Sequence, residues 1–481
     1  MGDISAYYAL PHPPIVIPEV GRGREAAIQK TIEAFQQVSK EIEGLKPDTI
    51  ILVTPHGPVF QDAVALMGDK DIQGSLADFR APRVLFRTKI DMDLVDQILH
   101  LAEGLDIQAV KITKSSAKSY GAAYMLDHGA MVPMYFINQK FTDYKLVHIT
   151  YGLLSKTQLY QFGMCIKKAV EQSEKKAVFI ASGDLSHRLT RDGPYEYSPY
   201  GEMFDQEVRK LLETGDVPGV FGMDSKMVRE AGECALRSYY ILLGALDGCE
   251  FKGQTLSYQG NFGVGYLIMV LDVKSKKDSG QDNLDQQAAS TLDKIVQQEE
   301  KQFQDKRVSQ NLYVRLAGDS LLYYLINGDF MEVPSYVTQE MIDQKKGVFV
   351  TLKKNGDLRG CIGTIRPVTS SLAQEIIRNA VEAGIFDPRF SPVTREEWGE
   401  LEFSVDVLDR PEPVQIHQLD PEKYGVIVRS GMRSGLLLPN LEGVDTVEKQ
   451  LNIALQKAGI TPDSPYMIER FQVSRHKDEK A

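Results

Sequence analysis

Six of the eight histidines lie before residue 190, and three of those six share one kind of setting. His12 follows the apolar run 7–10 in Leu10-Pro11-His12-Pro13-Pro14. His56 follows the run 50–53 in Thr54-Pro55-His56-Gly57-Pro58. His187 follows the run 178–181 in Ser182-Gly183-Asp184-Leu185-Ser186-His187. Each imidazole stands just past the carboxyl end of an expected parallel strand, where open α/β sheets gather their ligands. Prolines beside His12 and His56 restrict the backbone, so less freedom is lost when an imidazole is fixed on a metal. An ordinary turn histidine would explain any one of these positions. Repetition at three strand ends points to a common centre.

Two imidazoles do not complete a metal site. The best carboxylate is Glu233, in Ala231-Gly232-Glu233-Cys234-Ala235-Leu236-Arg237, at the start of an apolar helical run that reaches Leu246. It has a competing reading, since Glu233 and Arg237 are spaced i,i+4 and could simply pair on a helix surface. His128, in Leu126-Asp127-His128-Gly129-Ala130-Met131-Val132-Pro133, reads alone as a loop histidine in a turn. His148, inside Leu146-Val147-His148-Ile149, reads as a hydrogen-bonded core or near-site residue. His100 reads as a partner for a helix C-terminus.

The elements that must position these residues alternate. Short apolar runs at 7–10, 50–53, 146–149, 178–181 and 266–271 are separated by amphipathic stretches such as 25–42, 92–101 and 206–212. Buried strands between helices predict an α/β domain over residues 1–273, a mainly parallel sheet covered on both faces. Residues 274–307 turn polar and read as a linker followed by a solvated helix. Residues 308–481 mix helices with alternating strands such as 347–352 and 401–408, which predicts a smaller α+β domain.

Bulk properties bound the function. A net charge of −11 argues against a general nucleic-acid binder. The four cysteines, Cys165, Cys234, Cys249 and Cys361, form no CxxC pair, which excludes an obvious zinc ribbon or disulfide framework and fits a reducing compartment. The first residues lack signal-peptide and myristoylation patterns, and the apolar run near 266–271 is far too short to span a bilayer. A soluble cytoplasmic protein with no membrane partner is expected. Gly260-Asn261-Phe262-Gly263-Val264-Gly265 has neither the spacing nor the following helix of a dinucleotide site, and its glycines read as allowing close backbone approach beside the centre.

Taken in order, Pro11-His12-Pro13, Pro55-His56-Gly57, Asp127-His128-Gly129, Ser182-Gly183-Asp184-Leu185-Ser186-His187 and Gly232-Glu233-Cys234 resemble the LigB-type class III extradiol dioxygenases and their relative, the Memo family. The resemblance implies a three-layer α/β fold and a mononuclear iron(II) centre, with zinc or another divalent metal as the alternative. It implies His12, His56 and Glu233 as ligands, His187 as acid/base and His128 as the oxygen-handling histidine. Asp184 and Asp127 are then carboxylates that orient the ligating rings. Two imidazoles and a carboxylate leave adjacent positions open on iron(II) for a small aromatic substrate and dioxygen.

The last part resembles the AMMECR family from about residue 311 to 472. The resemblance rests on Leu358-Arg359-Gly360-Cys361-Ile362-Gly363 and Phe386-Asp387-Pro388-Arg389-Phe390-Ser391-Pro392. It supplies no activity. Cys361 beside Arg359 could be a reactive thiol or a buried structural cysteine. Asp387 and Arg389 could line a polar pocket or hold a turn. Two functions stay open: an oxygenase acting on a catechol-like or aminophenol-like ring, and a metal-binding redox or regulatory protein. The fusion resembles a bacterial system that also has a radical S-adenosylmethionine protein, which implies such a partner.

Overall fold

The computed structural model describes residues 1–276, 290–297, 301, 311–354, 356–399, 401–441 and 443–477. Most of the polar join expected at 274–307 lies outside the described residues. The chain divides into two compact units, Met1–Lys301 and Gln302–Ala481.

The first unit is built on strands whose composition leaves little alternative. In β2 (Thr49–Thr54, after β1, Asp3–Leu10) every residue is buried. Four of them, Ile50, Ile51, Leu52 and Val53, have no exposed surface, each worth about 1.5–3 kcal/mol of burial. A strand apolar on both faces needs cover on both faces. The further strands are β3 (Val64–Met67), β4 (Asp71–Leu76), β5 (Ala81–Ile90), β6 (Ala109–Ile112), β7 (Lys145–Thr150), β8 (Lys176–Ser182), β9 (Cys249–Gln259) and β10 (Tyr266–Lys276). They order as β4-β5-β7-β2-β8-β1-β10-β9, with β3 bridging β7 and β6.

The centre of this sheet, β7-β2-β8-β1, is parallel. Ile50 lies between Leu146 and Val178, and Tyr8 beside Ile180. That register brings Leu10, Thr54, Thr150 and Ser182 to one edge together, and the loops that follow carry His12, His56 and His187. Antiparallel β10 and β9 extend one side of the sheet and antiparallel β4 the other.

Cover comes from helices with apolar stripes. Helix α1 (Gln29–Leu45) buries Thr31, Ala34, Phe35, Val38, Ser39 and Ile42, an i, i+3, i+4 stripe. After α2 (Met92–Glu103) comes α3 (His128–Ile137), which packs on α1 with Phe35 and Phe136 stacked at 4.6 Å. Helix α4 (Lys156–Gln172) packs against a later helix, Leu236–Ala245.

The turn expected around His128 is thus the first turn of a helix. Asp127 caps it, its carboxylate accepting from the Ala130 amide at 3.2 Å. Pro133, inside the helix, has no N–H for the Gly129 carbonyl one turn back, which is left open.

The second unit is α+β. One antiparallel sheet has the order β12-β11-β13-β18, from β11 (Gly347–Lys354), β12 (Asp357–Thr364), β13 (Leu401–Leu408) and β18 (Val473–Lys477). The helices Leu312–Asn327 and Leu372–Ile385 pack on it. A second sheet, β14-β17-β15-β16, comprises Glu412–Pro413, Met467–Phe471, Gly425–Ser430 and Arg433–Leu437, under the helix Val447–Ala458. Leu408, Ile427 and Phe471 share a small core between strands of the two sheets.

Each unit has its own apolar core, so residues 1–301 and 302–481 expressed separately should each unfold cooperatively on heating. A broad, non-cooperative melt from both pieces would overturn the division.

Candidate metal centre

At the carboxyl edge of β1, β2 and β8, His12, His56 and His128 bring one ring nitrogen each within 4.8 Å of one another. His12 is the best determined. Its backbone N–H donates to Asp184 Oδ1 at 2.8 Å, and its Nδ1 lies 3.0 Å from Ser182 Oγ. Ser182 donates its only proton to the open Gly129 carbonyl at 2.6 Å. The serine oxygen must then accept from His12 Nδ1–H, so Nε2 carries a lone pair and faces the centre. His56 Nε2 stands 2.9 Å from that nitrogen.

His56 is set from behind by Thr54, which ends β2. Thr54 Oγ1 accepts the His56 N–H at 3.3 Å and donates to Asp127 Oδ1 at 2.6 Å. The other Asp127 oxygen meets His148 Nε2 at 2.9 Å, and His148 is fully buried in β7. His128 follows Asp127 and stacks on His56 with centroids 4.0 Å apart, while Phe79 meets its edge at 5.0 Å. The sequence reading gave His128 an oxygen-handling part; the geometry also makes it a third available nitrogen donor. Ser182 and Thr54 were missed from sequence, although a hydroxyl ending an apolar strand just before a histidine loop was the available signal.

The carboxylate side is less simple. A short helix, Ser225–Ala231, ends at Gly232 with φ +62°, and Leu236 begins the next helix. Glu233 and Cys234 therefore sit in the turn between helices, and not on a helix as expected. Glu233 Oε2 accepts from the amides of Ala235 (2.6 Å) and Leu236 (2.7 Å). Arg237 does not close the i,i+4 pair in these bonds; it donates to the Leu154 carbonyl at 2.9 Å. Glu233 falls outside the three-histidine group, whereas Cys234 Sγ lies 3.8 Å from His12 Nε2 and 3.3 Å from the Asp184 amide. His187 is close by, with its ring stacked on Tyr195 at 5.2 Å and its buried Nε2 unbonded among the described residues.

Electrostatics favour neutral imidazoles. Burial holds His12 well below its ordinary value and lowers His56. Burial, with His56 and His12 adjacent, takes His128 down to about 3. Burial also lowers His187, against the pull of Asp184. Burial pushes Asp184 up to about 6, raises Glu233, and drives the Cys234 thiol well up. Burial would raise Asp127 too, but the donors His148 and Thr54 outweigh it and hold it low. Neutral imidazoles, each with one ring nitrogen able to present a lone pair, are what a divalent metal requires.

In the second unit the candidates separate into two groups. Asp387 accepts from the Cys361 amide at 2.9 Å and from Arg389 at 2.9 and 2.6 Å, and Arg389 reaches the Cys361 carbonyl at 3.0 Å. Arg359 instead grips Glu397 at 2.7 and 3.0 Å. Its guanidinium is committed there. Thr351 Oγ1 is the polar neighbour of Cys361 Sγ, at 3.2 Å. Among the described residues no metal-ligand cluster falls in this unit, and no helix is long and apolar enough to cross a membrane.

Comparison with known proteins agrees with the division. The family described as the catalytic LigB subunit of aromatic ring-opening dioxygenase matches residues 6–269, and AMMECR1 matches residues 314–476. A protein from Clostridium acetobutylicum is 52% identical over 477 residues, 99% of this chain and 100% of the relative. A Thermotoga maritima protein is 48% identical over 173 residues, 35% of this chain and 99% of its own. A crystal structure from Pyrococcus horikoshii, 32% identical, covers 35% of this chain and 90% of that one with a TM-score of 0.33.

The lowered histidines make a pH prediction with a definite sign. Below about 6.5 the unfolded chain protonates His128 while the folded chain resists until about 3, so acid favours unfolding across that window. His128→Gln removes this term. Relative to wild type, metal-free His128→Gln should gain stability from pH 7 to pH 5, by up to about 1.4 kcal/mol per pH unit. Parallel melting curves for the two proteins would contradict the assignment.

Proposed function

The chain belongs to the family of the catalytic LigB subunit of aromatic ring-opening dioxygenase, joined to an AMMECR1 domain, and from that premise we propose a metal-dependent oxidoreductase that opens a catechol-like or aminophenol-like ring with dioxygen. The observation that carries this reading is the convergence of three imidazoles, buried His12, half-buried His128 and the more exposed His56, at one sheet edge. The donor set suits iron(II). Beside the nitrogens, Glu233 has one oxygen anchored by two amides, while Oε1 accepts no hydrogen bond among the described residues. His12, His56 and Glu233 would hold the ion. When bound, iron(II) supplies Lewis acidity and one-electron chemistry towards oxygen.

The chain's own residues do the rest. His187, neutral and unbonded at Nε2, takes the phenolic proton there as substrate arrives. Tyr195 covers the face of His187 and Phe79 the edge of His128, giving apolar walls for a planar ring. His128 hydrogen-bonds the oxygen reactant through its ring N–H, and the proton that His187 took is the one returned when the ring opens. Asp184 and Asp127 keep the loops of His12 and His56 in place.

One observation favours a second reading. Cys234 Sγ, 3.8 Å from His12 Nε2, could be the third donor, making a softer centre suited to zinc or copper(I). Such a centre would serve a redox or regulatory role with a partner, for which a radical S-adenosylmethionine protein is the proposal.

Anaerobic iron(II) titration separates the readings. Glu233→Ala should weaken binding at least about tenfold, the scale on which lost support around a metal is felt, whereas Cys234→Ala should leave it largely intact. His187→Ala should keep the metal yet lose oxygen uptake over a panel of catechols and aminophenols. With neutral histidines and a carboxylate, affinity should be level between pH 7 and 8.5. A buried thiol that must ionise would instead raise affinity about tenfold per pH unit. That slope, with Cys234→Ala as the damaging change, would replace the dioxygenase reading with the second.

A further inference from the structure

Six consecutive amides carry the loop after β8, and each goes to a different acceptor. The N–H of Asp184 points at Cys234 Sγ (3.3 Å), that of Leu185 at the Gly265 carbonyl (2.8 Å) and that of Ser186 at Asp205 Oδ1 (2.8 Å). His187 donates to the Ala231 carbonyl (3.1 Å), Arg188 to Ser186 Oγ (3.0 Å) and Leu189 to the Gly263 carbonyl (3.0 Å). Asp205 supplies the one carboxylate among these acceptors. It lies on the helix Tyr200–Thr214, fully buried, at a position no sequence motif marks.

Its second oxygen is equally committed. Oδ2 accepts the Tyr258 hydroxyl from β9 at 2.7 Å. It also sits 2.1 Å from where a Cβ on residue 265 would be, so only glycine fits there. This gives the Gly260–265 segment a role that nucleotide binding could not: it lets a buried carboxylate reach the loop from below.

We propose that Asp205 is a positioning residue, which by holding the Ser186 amide sets the bend that sends Asp184 and His187 into the same centre. The inference rests on reading that centre as functional. The physical reason is local. A buried amide stripped of its acceptor is costly, and the nearest relief is rotation of the Ser186 peptide. That rotation moves His187 directly. Asn at 205 can keep both contacts, with Oδ1 towards the Ser186 N–H and Nδ2 donating to the Tyr258 oxygen.

The test uses full-length, metal-free protein with isotope-labelled histidine rings, signals being assigned by single His→Gln changes. In Asp205→Ala the His187 ring signal should shift or broaden while those of His100, His417 and His476 stay put, and Asp205→Asn should restore it. An unmoved His187 signal in Asp205→Ala would overturn the proposal. So would Asp205→Asn as disturbed as the alanine variant, or histidine signals moving throughout the chain, since Asp205 would then act only on the fold. If Asp205→Ala does not fold, amide exchange in the wild-type protein decides. The Ser186 N–H should be among the slowest in residues 183–190, and exchange as fast as an open loop would sink the idea. Because no metal is needed, the test stands apart from the metal reading, which fails separately if the wild type binds no iron(II).

Discussion

A serine hydroxyl has one proton to donate, and Ser182 donates it to the Gly129 carbonyl. In an uninterrupted helix the N–H of residue 133 would also bond that carbonyl. Proline leaves that carbonyl open, and the Ser182 hydroxyl fills it. The serine oxygen can then only accept from His12 Nδ1, and the lone pair on Nε2 faces inwards. The single donation from Ser182 thus fixes the tautomer of His12 across the site. The parallel register of β1 and β8 makes the relay possible, because it ends Leu10 and Ser182 side by side.

The same economy governs charge. A cluster of imidazoles packed together and partly withdrawn from water resists protonation, since each cation would lose solvation and would face its neighbours. The carboxylates are arranged accordingly. Asp127 is held ionised by His148 and Thr54, at the back of the His56 loop, where it braces without occupying the centre. Asp184 is pushed towards neutrality by burial and binds the backbone of His12. The result is a site rich in nitrogen lone pairs and poor in fixed positive charge, which a cation would complete.

Much of this was legible in sequence because burial writes itself into composition. The runs at 7–10, 50–53 and 178–181 became central parallel strands. His12, His56 and His187 could then be placed just past their carboxyl ends from sequence alone. What failed depended on single backbone events. The segment from Leu126 to Pro133 reads as a turn, yet the Asp127 cap opens a helix over His128–Ile137 that carries Pro133 inside it. The orientation of Glu233 and Cys234 follows from the left-handed Gly232, and glycine does not announce its φ. Asp205 had no local signal at all, since its partners Ser186, Tyr258 and Gly265 meet only once the sheet has formed.

The turn at 232–236 therefore offers two donors of opposite character one residue apart, and the physics around them differs. Glu233 is anchored through Oε2 by two amides, bonds to a charged group worth about 1.5–3 kcal/mol each. A metal that used Oε2 would forfeit them, so a carboxylate ligand must come from Oε1, with the cap intact as its support. Cys234 Sγ lies 3.8 Å from His12 Nε2 but carries its proton. Ionising even an ordinary thiol at pH 7 costs about 2–3 kcal/mol, and here burial and Asp184 push it further. Only an ion with strong affinity for sulfur offsets that cost. An ion with less preference for sulfur, as iron(II) has beside copper(I), would gain more from a carboxylate that is already ionised. The identity of the metal and the choice of donor are thus one question: the same histidines can serve either chemistry, and the protonation of Cys234 divides them.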